Sequence, residues 1–135
     1  MTTTKNPITV LKTATAEKLN PNLDSDLEYQ IALIDEVLHL RISGNSSGGY
    51  FSKEWISLEK MKQCFDENIT TDVDFKSNVL KPLFEQGRSS NNAGFLCACL
   101  RAEKLLSSSN KNAFLHRFTG DFNQWKTTLN LLSKK

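Results

Sequence analysis

The chain has 135 residues, 39% of them hydrophobic and 24% charged, with a net charge of +2. This length and composition predict one domain, large enough to bury a single core without staples. They exclude a membrane-spanning helix, which needs about 20 consecutive apolar residues. The first residues also lack a secretory apolar block, and three cysteines in no framework spacing point to a reducing, cytoplasmic setting.

The charge is unevenly distributed. Residues 1–75 carry 7 Lys/Arg against 12 Asp/Glu, a net of −5, and residues 76–135 carry 10 against 3, a net of +7. A basic half suggests an acidic partner such as nucleic acid or an acidic protein. Mutual attraction of the two halves explains it equally well.

Residues 1–22 read as a mobile N-terminal arm with two prolines, in which Ile8, Val10 and Leu11 could form a short strand. Ser25 and Glu28 have capping-box spacing, and Leu27, Ile31, Ile34, Leu38 and Ile42 follow at helical intervals. This predicts a helix stopped by Gly44. The loop GNSSGGY that follows lacks the Lys-Ser/Thr pair and the strand context of a phosphate-binding loop.

Ser52 or Ser57 caps the next predicted helix, whose apolar face is Trp55, Leu58, Met61 and Phe65. After a polar turn, a second helix is predicted over 73–86, bent at Pro82. The segment AGFLCACLRAEKLL, 93–106, reads as a buried helix, although 95–100 could instead be a strand. Asp121 and Gln124 cap a last helix bearing Phe122, Trp125, Leu129 and Leu132.

Motif chemistry is sparse. Cys97 and Cys99 diverge on a helix, and only Cys64, His39 and His116 remain to complete a zinc set, so no metal or cofactor is expected. Neither histidine has a motif-level catalytic partner, and the chain reads as a non-enzyme.

The expected fold is therefore mainly α: a compact bundle of four to five helices over residues 23–135. A small winged-helix-like β-hairpin enters if 95–100 and 113–118 are strands. The leading functional expectation is DNA binding through a helix–turn–helix-like pair over 57–88 and the basic C-terminal half. The residues selected for nucleic-acid or partner binding are Lys76, Ser77, Asn78, Lys81, Arg88, Arg101, Lys104, Lys111 and Arg117. The alternative is a helical protein–protein interaction module. Partner identity and oligomeric state are left open.

Overall fold

The computed structural model describes residues 8–17, 26–45, 53–84, 92–109 and 115–132. It is mixed α and β, which corrects the expectation of a helical bundle. Four strands, β1 (Ile8–Glu17), β2 (Asp26–Ile34), β3 (Val37–Asn45) and β4 (Ile56–Ser57), form an antiparallel sheet in the order β1-β2-β3-β4. Helix α1 (Leu58–Asn68) leads to β5 (Phe75–Lys76) and a 3-10 helix (Ser77–Leu83). Helix α2 (Asn92–Ala102), β6 (Leu106–Ser108), β7 (Leu115–Phe118) and α3 (Phe122–Leu132) complete the order. The second sheet runs β5-β7-β6, also antiparallel.

The largest correction falls on 27–42, expected as one helix and found as the β2–β3 hairpin. Leu27, Tyr29 and Ile31 on β2, and Leu38, Leu40 and Ile42 on β3, are all buried. That is the period-two pattern of a half-buried strand. The two strands turn tightly at Asp35 and Glu36, whose φ angles of 56° and 66° are both left-handed. Two successive left-handed residues match the twist of a two-residue hairpin.

Three helices do form where caps are written into the sequence or the apolar run is long. Ser57 caps α1, its hydroxyl accepting from the Lys60 N–H at 3.1 Å. Asp121 Oδ1 caps α3, accepting from the N–H groups of Asn123 (2.8 Å) and Gln124 (3.1 Å). Residues 95–100 belong to helix α2, and the hairpin expected from strands at 95–100 and 113–118 is instead β6 with β7. Helix α2 buries Ala93, Leu96, Cys97, Ala98, Cys99 and Leu100, a nearly all-round apolar surface that marks a core helix.

Helix α2 ends in a Schellman-type closure. The Leu105 N–H donates to the Leu100 carbonyl and the Lys104 N–H to the Arg101 carbonyl, each at 3.0 Å, with Lys104 left-handed at φ 70°. The chain returns to this closure at Gly120, whose N–H donates to the Leu105 carbonyl at 3.0 Å. A Cβ on Gly120 would lie 2.7 Å from the Leu105 Cα, so only glycine allows this approach.

The second half of the expected helix–turn–helix is also corrected. Residues 75–83 form a two-residue strand and a 3-10 helix containing Pro82, and 85–86 lie outside the described residues. Pro82 lacks the donor and leaves no room for a regular α-helical turn behind it. The core joins the inner face of the first sheet to α2 and to an aromatic group. In that group Phe65 meets Phe118 and Phe122 edge-on, at centroid separations of 5.0 and 4.9 Å. Among the described residues, no helix is long and apolar enough to cross a membrane.

Candidate functional site

The structure describes seven of the nine expected binding residues. Lys76, Asn78 and Lys81 are exposed along β5 and the 3-10 helix, and Lys104 is exposed at the far end of α2. Arg88 and Lys111 lie outside the described residues. Arg117 Nε instead donates to Asp74 Oδ1 at 2.7 Å. Arg101 and Ser77 meet over His116, a residue buried completely.

That His116 cluster has the residue types of nucleophilic catalysis but the wrong proton order. Arg101, which has only donors, gives Nε–H to His116 Nδ1 at 3.1 Å and a terminal N–H to the Leu115 carbonyl at 3.0 Å. A neutral ring that accepts at Nδ1 carries its proton on Nε2, which therefore donates to Ser77 Oγ at 2.7 Å. Burial first, and the Arg101 charge second, lower the His116 pKa from 6.5 to about 4, which keeps the ring neutral. Ser77 in turn hydrogen-bonds the Cys97 sulfur, while burial pushes that thiol up to about 12. The imidazole thus gives a proton to the serine where a general base would take one. This cluster ties β7 to α2 and the start of the 3-10 helix.

A second buried polar centre forms around Glu103, just past the end of α2. Its side chain is 3% exposed and accepts from Lys12 Nζ at 2.6 Å, from the Trp125 indole at 2.9 Å and from the Tyr29 hydroxyl. Burial, reinforced by the hydrogen bond and negative charge of Glu103, raises the Tyr29 pKa above its usual 10. Glu103 lines a cleft of about 480 Å³ together with Lys12, Lys104, Asp121, Gln124 and Trp125. Three donors on its two oxygens make Glu103 an anchor for Lys12, Tyr29 and Trp125. Among the described residues, no group of three or more His, Cys, Asp or Glu side chains is placed to hold a metal.

What Glu103 anchors is β1, the outermost strand of the first sheet among the described residues. Opposite β2, Lys12, Ala14 and Ala16 pair with Ile31, Tyr29 and Leu27, so they face inward. Thr13, Thr15 and Glu17 pair with Gln30, Glu28 and Asp26 on the outer face. A bulge at Leu11 interrupts the register, after which Val10 and Ile8 join the outer face opposite Ala32 and Ile34. Ile8 and Val10 are 53% and 46% exposed.

The outer face beside this edge is ordered by a polar ladder. The Gln30 amide donates to Thr13 Oγ1 at 3.3 Å and accepts from Arg41 at 3.0 and 2.8 Å. Arg41 in turn stacks over Trp55 at 4.5 Å. Among the described residues, no strand pairs with the second edge of β1. The sequence carried only a weak sign of this edge, in the apolar pattern of Ile8, Val10 and Leu11. The Ser77–His116 and Lys12–Glu103 pairs join residues 39 and 91 positions apart, so no spacing motif could reveal them.

Comparison with known proteins gives no relative: the chain matches no family model, no curated protein and no solved structure.

Proposed function

We propose that the protein is a non-enzymatic binding module that takes up an extended segment of a partner protein along the open edge of β1. The observation that carries this reading is a ten-residue strand, outermost among the described residues, with exposed Ile8 and Val10 and an ion pair from Lys12 to Glu103. An added strand satisfies the row of backbone donors and acceptors that an edge presents, and alternate side chains supply selectivity. A pre-fixed strand also spares the ordering cost of binding.

Natural edges are blunted by bulges and by inward-pointing charges. Here the bulge lies at one end, and the inward ammonium of Lys12 is neutralised by Glu103. Lys12 to Glu17 is left as a regular run with no proline. Among the described residues, Arg101 and Arg117 are engaged by His116 and Asp74, and Lys76, Lys81 and Lys104 are the exposed cations of the DNA reading. Helix α2 is moreover packed under the first sheet, away from any groove.

Selection of short peptides from a random library on the intact chain, followed by amide chemical-shift mapping, tests the proposal. The selected peptides are expected to shift residues 8–17 and to lose at least tenfold in affinity for Val10→Lys, which places a charge on the edge. Peptides that map elsewhere contradict the reading. So does the absence of any peptide ligand alongside duplex DNA binding that falls log-linearly with salt.

A further inference from the structure

We propose that the cleft between β1, the turn after α2 and the start of α3 binds a free α-amino acid with an apolar side chain. This inference stands on the cleft alone and does not depend on a segment docking along β1.

The cleft has a volume of about 480 Å³, within the range of about 300–1,000 Å³ typical of small-molecule sites. Its walls come from three parts of the chain that are already tied together. Glu103 accepts from Lys12 on β1 at 2.6 Å and from the Trp125 indole on α3 at 2.9 Å. The Gly120 N–H donates to the Leu105 carbonyl at 3.0 Å, which brings the entry to α3 against the turn. Asp121 Oδ1 then caps α3 by accepting two N–H bonds. The cleft is therefore formed before a ligand arrives, and binding does not have to order its walls.

Its charges come in opposite pairs. Lys12 and Lys104 supply two ammonium groups, and Glu103 and Asp121 two carboxylates. Glu103 is 3% exposed and accepts from three donors, so it serves to hold Lys12 in place. An ammonium has three N–H donors, and the bond to Glu103 uses one, so Lys12 can also donate to a ligand. Lys104 is exposed beside it. Asp121 is exposed as well, and a carboxylate has about four acceptor sites, of which the helix cap occupies two. An anionic group thus meets Lys12 and Lys104, and a cationic group meets Asp121.

This balance selects the ligand. A phosphate or other dianion is drawn by the lysines but opposed by Asp121 and Glu103, and a simple cation meets the reverse opposition. A zwitterion sets each of its charges against an opposite one. The α-amino acid is the simplest such molecule, with its ammonium and carboxylate on one carbon. Ala102, Leu105 and Trp125 line the cleft beside the charged groups. An apolar side chain covers that surface, whereas a charged one would add a third charge to a balanced site.

Titration of the isotope-labelled full chain with L-leucine, N-acetyl-L-leucine and L-leucinamide tests the inference, because each analogue lacks one of the two charges. L-Leucine is expected to shift the amides of residues 103–105, 120–121 and 124–128 saturably, and each analogue to bind about tenfold more weakly. Two variants separate recognition from folding. Lys104→Gly suits the left-handed backbone at that position, φ 70°, and Asp121→Asn keeps a good helix cap. Lys104→Gly is expected to weaken L-leucine about tenfold and leave L-leucinamide unchanged. Asp121→Asn is expected to weaken L-leucine by as much and leave N-acetyl-L-leucine unchanged. Equal affinities for the three compounds, or variants that weaken all three alike, would overturn the inference. So would the absence of saturable shifts at the cleft with L-leucine.

Discussion

Lys12 Nζ lies 2.6 Å from Glu103 Oε2, so a residue of the first strand is locked to the turn that closes α2, 91 positions later. The carboxylate is 3% exposed and the lysine side chain 38% exposed, which makes the two partners unequal. Removing the acid leaves the Tyr29 hydroxyl and the Trp125 indole without their acceptor, whereas removing Lys12 leaves Glu103 with both. Breaking a buried pair typically costs about 3–5 kcal/mol, and the solvent-exposed partner contributes about 1 kcal/mol or less. Urea denaturation should therefore show Glu103→Ala losing about 3 kcal/mol and Lys12→Met about 1 kcal/mol. The double variant should lose little more than Glu103→Ala alone. Additive losses would mean that the two side chains act separately.

The neutral His116 predicts an acid-side loss of stability. Its pKa in the folded chain, about 4, lies below the value of 6.5 it regains on unfolding. The unfolded state therefore binds the proton first as pH falls. The stabilisation is complete above pH 6.5, declines between 6.5 and 4, and amounts to at most about 3 kcal/mol. Denaturation midpoints measured from pH 7 to pH 4 should fall more steeply for the native chain than for His116→Gln. Equal slopes would mean that the His116 imidazole takes up its proton in the fold at the same pH as in the unfolded chain.

Tyr29 sets the opposite limit. Burial beside Glu103 raises its pKa above 10, so the phenol stays protonated in the fold under conditions that ionise it in the unfolded chain. That contribution is present below pH 10 and is lost as pH rises further. In a spectrophotometric titration of the native chain, Tyr29 should ionise only on unfolding, and Glu103→Gln should bring its titration to lower pH. Ionisation of Tyr29 near pH 10 in the folded chain would contradict the account.

The Asp35–Glu36 turn is a place where the chain can be improved. Both residues are left-handed, a conformation that costs roughly 1–2 kcal/mol for an ordinary side chain. Asn-Gly suits the same geometry. The double change Asp35→Asn and Glu36→Gly is expected to raise stability by about 1 kcal/mol, read as a higher urea midpoint. A lower midpoint would refute the assigned turn.

The same turn explains why the sequence misled. Leu27, Ile31, Ile34, Leu38 and Ile42 satisfy a helical period, but Leu27, Tyr29 and Ile31, like Leu38, Leu40 and Ile42, also satisfy a period of two. An Asp-Glu pair gives no hairpin signal to break the tie, and a serine three residues before Glu28 imitated a helix cap. By contrast, the caps at Ser57 and Asp121 were followed by single-period runs, and α1 and α3 were legible. Helix α2 was legible from its length and alanines, but not its burial under a sheet that had been read as helical. Arg101 and Arg117 looked like free basic residues because their partners, His116 and Asp74, are remote in sequence. The edge at β1 was hidden because strand order is a tertiary property: Ile8 and Val10 mark a strand, and only the sheet places it outermost.

The most direct test of edge docking is residue-resolved amide hydrogen exchange across Ile8–Glu17, with and without bound peptide. In an edge strand, alternate N–H groups point toward the neighbouring strand and the others point outward. The account predicts that binding slows the outward set markedly and leaves the set bonded to β2 almost unchanged, a period-two signature. Uniform slowing along β1, or slowing confined to Lys76–Leu83, would contradict it.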